Sequence, residues 1–339
     1  MTETGYTSTV YEKIGVIGAG AWGTALACVA AKAGRDVSLW AMEPAVVDSI
    51  TRTGMNERFL PGTNLPAKIR ATNDMAAATK ADALLIATPA QHLREMLLRF
   101  APYLADEMPL VLCAKGIERT SGLLLTEVLS ETLPRAHVAI LSGPSFARDV
   151  ATGLPTAITI AARMDIAKRL QASLGHSQFR PYVSDDIVAV ALGGAAKNVY
   201  AIGCGITDGL GLGESARAAL LARSFAELTR LGEAMGGRAE TFMGLSGLGD
   251  LVLSATSSSS RNFAFGRKLG QGQTLQVLLG PGGPLVEGAE TARPLLLRAQ
   301  KHGIEMPIAA TVAAVLDSAM TPAAALDQLM NRPLGPERK

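Results

Sequence analysis

The 339-residue sequence predicts an α/β protein, in which an N-terminal doubly wound sheet is followed by a mostly α-helical C-terminal domain. Three observations carry this prediction. From Lys13 to about Val183, short apolar runs alternate with longer helical patterns, as βαβ units require. A Gly-x-Gly-x-x-Gly run separates the first strand pattern from the first helix pattern. After Asp186, long Ala/Leu patterns with helical spacing replace the strand-like runs.

Taken in chain order, strands are expected at residues 14–17, 37–40, 83–87, 110–113, 138–141 and 156–160. Several are apolar on both faces, as strands of a covered parallel sheet are. A helix is expected over 24–33, and in the second half over 217–231, 291–302 and 308–319. The polar, Thr-rich start has no apolar signal core and reads as a flexible leader, residues 1–11. Residues 12–185 then form the dinucleotide-binding domain, 186–330 the helical substrate domain, and 331–339 a loose tail, with Ser257 to Ser260 as a loop.

Composition narrows the function. With 48% hydrophobic and 18% charged residues the chain is compact rather than disordered, and 32 basic against 30 acidic residues leave a net charge of +2. No basic block suits a phosphate backbone, so nucleic acid is not an expected partner. The longest uncharged stretches are Ala- and Gly-rich and interrupted by residues such as Lys32 and Lys197, so no membrane-spanning segment is expected. Cys28, Cys113 and Cys204 lie in apolar surroundings without CxxC spacing and read as buried thiols of a cytoplasmic protein. His92, His137, His176 and His302 have no metal-ligand spacing, and no metal site is expected.

Gly18-Ala19-Gly20-Ala21-Trp22-Gly23 follows the apolar run Lys13 to Ile17 and opens a helix, which is the context a Rossmann-type dinucleotide fingerprint needs. Gly18 permits the tight turn, Gly20 lets backbone approach a pyrophosphate, and Gly23 lets helix and strand pack closely. Glu43 falls at the end of the second strand, about twenty residues on, where a ribose-contacting carboxylate belongs; a solvated charge before Pro44 is the alternative. Between Ile187 and Ile206, Lys197 is the one lysine in an otherwise apolar helix. Burial would lower its pKa toward a range useful for proton transfer, whereas snorkelling would leave it an ordinary surface cation. Asp250 could orient it. Arg261, at a loop-to-helix junction, would suit a phosphate monoester or be a plain surface charge.

In order along the chain stand GAGAWGTALA from Gly18, NERFLPG from Asn56, AKGIE from Ala114, LSGPSFA from Leu141, GGAAKNVYAIGCGITDGLG from Gly193, TFMGLSGLGDL from Thr241, SRN from Ser260 and VEG from Val286. With these motifs, from about Lys13 to Ala319, the sequence resembles the NAD(P)-dependent glycerol-3-phosphate dehydrogenase family. The resemblance implies a 6-phosphogluconate-dehydrogenase-like two-domain architecture. It also implies interconversion of dihydroxyacetone phosphate and sn-glycerol 3-phosphate with NAD or NADP, supplying glycerol 3-phosphate for phospholipid synthesis. By the same resemblance Lys197 is the catalytic lysine, with Lys115 and Asp250 beside it in the active site. Gly143, Ser145, Ser260, Arg261 and Asn262 join those three as substrate contacts. Ala21, Trp22, Lys115, Ala147, Arg261, Leu285 and Glu287 join the glycines and Glu43 on the cofactor. A cytoplasmic homodimer is expected.

The sequence departs from the family at Ala189 to Ala191, where relatives commonly have Gly-Val-Glu, at Leu221 to Ser224 around Arg223, and at Met42, where many have Arg or His. With Met42 and Glu43 at the end of the second strand, NADH is expected to serve at least as well as NADPH. Two other readings are a dehydrogenase of the same architecture acting on a hydroxy acid such as 6-phosphogluconate, and a nucleotide-binding sensor without turnover. The SRN and GLGDL motifs count against the first, and the trio Lys197, Lys115 and Asp250 against the second.

Overall fold

The protein is described by a computed structural model over residues 10–280, 283 and 285–333. Most of the expected leader and tail, residues 1–9 and 334–339, lie outside the described residues. One eight-stranded sheet, in the order β3-β2-β1-β4-β5-β6-β7-β8, organises the first half. Its strands are β1 (Lys13–Ile17), β2 (Asp36–Trp40), β3 (Ile69–Thr72), β4 (Ala83–Ile86), β5 (Pro109–Leu112), β6 (His137–Ser142), β7 (Thr156–Ala162) and β8 (Phe179–Ser184). Every pairing is parallel except β6 with β7. Ile14 pairs with Val37 on one side and Ala83 on the other, so β1 sits where the strand order reverses. Ligands of open α/β sheets bind at such a point.

All six expected strands are present, and β3 and β8 are additions. Both are edge strands. Arg70 faces solvent in β3, and β8 alternates buried Phe179 and Pro181 with exposed Arg180 and Tyr182. A half-solvated edge lacks the continuous apolar run of an inner strand, and Pro181 is tolerated there because an edge leaves some amides unpaired.

The expected first helix forms as α1 (Ala21–Lys32), and β2 is followed by α2 (Pro44–Thr53). A short helix, α3 (Ala147–Thr152), follows β6. The second half is built around α4 (Ile187–Gly209), whose N-terminus is capped by Asp186: Oδ1 accepts from the Ala189 amide at 2.9 Å and Oδ2 from the Arg238 amide at 2.8 Å. Around α4 pack α5 (Gly213–Ala234), α6 (Asp250–Thr256), α7 (Arg261–Gly270), α8 (Glu287–Lys301) and α9 (Pro307–Leu316). The backbones of α4 and α7 nearly touch: a Cβ on Gly205 would come 2.1 Å from the Phe263 carbonyl oxygen, and one on Gly266 2.1 Å from that of Ile202.

Among the described residues α4 is long and apolar enough to cross a membrane, but 89% of its most apolar window is buried inside the protein. A helix apolar all round is the natural centre of a helical layer. Its Tyr200 reaches Glu227 of α5, whose carboxylate also accepts from the Ile308 and Ala309 amides at the start of α9, at 2.7 and 3.3 Å. This buried carboxylate ties three helices together. Burial raises its pKa to about 7.

Candidate active site

The turn after β1 has the geometry its glycines foreshadow. Gly18 has φ +106°, and a Cβ on Gly23 would lie 1.8 Å from the Gly18 carbonyl oxygen, so neither position admits a side chain without moving backbone. Above Gly20 there is nothing within 4 Å, which leaves room for a ligand to meet the backbone at the start of α1. No side chain caps that helix, so its first amides and the positive end of its dipole are available to a pyrophosphate.

Asn56 of the NERFLPG segment, fully buried, braces this turn by donating from Nδ2 to the Ala19 carbonyl and to Thr24 Oγ1, each at 2.8 Å. Trp22 spans from α1 to the end of β5, its indole Nε1 donating to the Cys113 carbonyl at 3.2 Å. Lys115 follows two residues later. The fingerprint and the lysine are thereby fixed to one another.

The charged centre lies where the sheet meets the helical half. Lys197 is 8% exposed, and its Nζ lies 2.6 Å from Asp250 Oδ1 and 2.7 Å from Ser254 Oγ. Snorkelling, the alternative for this side chain, is overturned, because its Nζ is buried against Asp250 and Ser254 of α6. The second oxygen of Asp250 holds Lys115 Nζ at 2.5 Å, and Lys115 also donates to the Gly143 carbonyl at 3.1 Å. One buried carboxylate thus bridges two ammonium groups. Burial lowers the Lys197 pKa to about 8, with Asp250 pulling it up and the like charge of Lys115 adding to the fall. A lysine so placed changes protonation near neutral pH, which suits transfer of a proton to an alkoxide or from an alcohol.

Ser254 escaped the sequence reading, although it lies one helical turn after Asp250. Gly193 and Gly194 mark close approaches of protein: a Cβ on Gly193 would meet the Ser246 carbonyl oxygen at 2.9 Å, and one on Gly194 would meet Ser142 Oγ at 2.8 Å.

The remaining residues fall into two groups. Ser145 donates to the Gly143 carbonyl at 3.1 Å, and Ser260 caps α7 through the Phe263 amide at 3.3 Å. Asn262 donates to Asn198 Oδ1 and accepts from the Gly288 amide, both at 3.0 Å, which locks α7, α8 and the residue after Lys197 together. These are structural bonds, and Asn198 joins the set as a residue the sequence did not mark. Arg261, the first residue of α7, is exposed and makes no hydrogen bond or ion pair among the described residues. Its charge acts on Glu287, the first residue of α8.

Glu287 Oε1 accepts from the Ala90 amide at 3.3 Å, while Oε2 is buried without a partner and burial raises the carboxyl pKa. An orphaned buried acceptor calls for a donor, and the backbone at Gly20 is open to a ligand. Ala147, the first residue of α3, is partly buried. Leu285 is 42% exposed, and Glu43 is the N-cap residue just before α2, shortly after β2 ends.

The N-terminal model of NAD-dependent glycerol-3-phosphate dehydrogenase matches residues 13–167, and its C-terminal model matches 186–327. A Parvibaculum lavamentivorans protein named glycerol-3-phosphate dehydrogenase [NAD(P)+] is 53% identical over 96% of this chain and 98% of its own length. A Rhodospirillum rubrum protein of the same name is 50% identical over 96% and 94%. The crystal structure of glycerol-3-phosphate dehydrogenase from Coxiella burnetii superimposes with a TM-score of 0.90 at 38% identity, over 95% of this chain and 99% of that one. With both halves matched in order and the paired lysines bridged by one buried carboxylate, the chain belongs to the NAD-dependent glycerol-3-phosphate dehydrogenase family.

Proposed function

We propose that this enzyme interconverts dihydroxyacetone phosphate and sn-glycerol 3-phosphate with NAD(H) or NADP(H), providing glycerol 3-phosphate for phospholipid synthesis. The observation that carries the reading is the buried Lys197–Asp250–Lys115 bridge beside a dinucleotide-binding turn. Gly18, Gly20, Ala21, Trp22, Gly23, Glu43, Lys115, Ala147, Arg261, Leu285 and Glu287 would hold the nicotinamide cofactor, which when bound supplies or takes up the hydride. Lys197 gives its proton to the carbonyl oxygen during reduction and takes it back during oxidation. Asp250 and Ser254 set the direction of that proton by holding two of the ammonium hydrogens on adjacent acceptors, which leaves the third for the substrate oxygen.

Lys115, anchored to the Gly143 carbonyl, presents a second positive charge to the substrate together with Ser145, Ser260 and Asn262. Arg261 supplies a guanidinium for the phosphate, whose binding energy orients the reacting carbon. In this reading residues 12–185 carry cofactor and residues 186–330 carry most of the substrate site. The protein works in the cytoplasm as a homodimer.

The test follows NADH and NADPH absorbance with purified protein, offering dihydroxyacetone phosphate for reduction, and offering 6-phosphogluconate with NAD or NADP for oxidation. Sustained turnover confined to dihydroxyacetone phosphate supports the proposal. Turnover of the hydroxy acid alone, or of neither compound, contradicts it.

A further inference from the structure

The end of β2 decides which dinucleotide a fold of this kind accepts, because the 2′ position of the adenosine ribose lies there. In this chain β2 stops at Trp40; Met42 is 61% exposed, and Glu43 occupies the residue just before α2. The Glu43 side chain makes no capping hydrogen bond to that helix, so the first amides of α2 have no side-chain acceptor. Instead, Glu43 Oε1 lies 3.8 Å from Arg58 Nη1. Among the described residues, two other cations of this part of the chain, Arg35 and Arg52, form no ion pair with Glu43. Arg35 pairs with Glu12 at 2.8 Å and bonds the Ala33 carbonyl, and Arg52 lines a separate surface depression along α2 with Asp48 and Glu57.

The chain at Arg58 is held in place by its neighbours while its guanidinium stays largely exposed. Two residues before it, Asn56 is bonded to Ala19 and Thr24 of the fingerprint, and Asn56 Oδ1 accepts from the Phe59 amide at 3.2 Å. The Arg58 guanidinium rides over the Phe59 ring with 5.0 Å to its centroid, and the side chain is 60% exposed. The segment that braces the pyrophosphate turn therefore also carries a guanidinium to the carboxylate at the end of β2.

We propose that Arg58 receives the 2′-phosphate of NADP(H), and that the Glu43–Arg58 pair lets one site take both cofactors. The inference rests on the dinucleotide reading of the fingerprint. With a free ribose, Glu43 accepts from the hydroxyls and Arg58 remains at its side. With a 2′-phosphate, Arg58 turns from the carboxylate to the phosphate. Relative strengths favour the exchange: an exposed ion pair is worth at most about fivefold in an equilibrium constant, whereas a charge-assisted guanidinium–phosphate contact is worth roughly ten- to a hundredfold. The uncapped start of α2 adds a second attraction for the phosphate. Glu43 limits the gain through its like charge, so neither cofactor is excluded.

Calorimetric titration with NAD+ and with NADP+, in the absence of the second substrate, tests this without turnover. In Arg58→Ala the NADP+ dissociation constant should rise at least about tenfold, while that for NAD+ changes less than about threefold. In Glu43→Gln, which leaves Arg58 in place, NADP+ should bind at least about threefold more tightly. An equal loss for both cofactors in Arg58→Ala, no loss for either, or no tightening in Glu43→Gln overturns the assignment. If the wild type binds neither cofactor, the dinucleotide reading itself falls and takes this inference with it.

Discussion

Asp250→Asn is the most informative single substitution at the charged centre. The carboxylate is 1% exposed and gives one oxygen to each of two ammonium groups, at 2.6 Å to Lys197 and 2.5 Å to Lys115. An amide keeps the shape but removes the charge, and its NH2 must face one of the two lysines donor to donor. In the wild type, desolvation drives the Lys197 pKa down to about 8 while attraction to Asp250 resists. Without that attraction, desolvation and the charge of Lys115 act unopposed.

A hydrogen bond to a charged group is worth about 1.5–3 kcal/mol and one pKa unit is about 1.4 kcal/mol, so the pKa should fall by about one to two units. Reduction of dihydroxyacetone phosphate requires the protonated lysine. The wild-type kcat/KM for reduction should therefore decline above about pH 8, and that for oxidation of glycerol 3-phosphate should rise toward the same pH. The assay is kcat/KM against pH in both directions, with thermal unfolding as a check on folding. In Asp250→Asn both limbs should move to lower pH together. A folded variant whose limbs stay in place would refute the role given to the bridge.

Two further outcomes are expected. Arg261→Ala should lower kcat/KM for dihydroxyacetone phosphate by about ten- to a hundredfold, with much less effect on unphosphorylated dihydroxyacetone; equal losses would take Arg261 off the substrate phosphate. Glu227 is held above its ordinary pKa of 4.5, at about 7, so its folded-state proton contributes stability fully below about pH 4.5 that is lost as pH rises through 7. The melting temperature of Glu227→Gln should accordingly gain on that of wild type between pH 5 and pH 8, and a constant difference would contradict the burial argument.

Much of this architecture is legible in the sequence because its determinants are local. Inner strands such as Ala83–Ile86 and Pro109–Leu112 are apolar runs, and three glycines at fixed spacing describe a turn whose geometry leaves no room for a Cβ at Gly18 or Gly23. Lys197 is conspicuous because a charge inside an apolar helix needs a partner, and Asp250 is that partner. The missing parts depend on tertiary contacts. β3 and β8 are half-polar edges defined by the neighbour they pair with. Ser254 meets Lys197 only because α6 crosses α4, and Arg58 meets Glu43 only because Asn56 pins its loop to the fingerprint. Ser260 and Asn262 stand out as motif residues, yet their visible bonds cap α7 and join it to α4 and α8.

The central claim, that Lys197 carries the proton of the reaction, is tested most directly by turnover and cofactor binding in Lys197→Met. Methionine fills a similar volume, and the variant loses the proton but not the dinucleotide turn. General acid–base groups contribute about 10²–10⁴ in rate, so kcat for reduction of dihydroxyacetone phosphate should fall at least about a hundredfold while NADH binds with near wild-type affinity. Near-normal kcat in that variant would contradict the account.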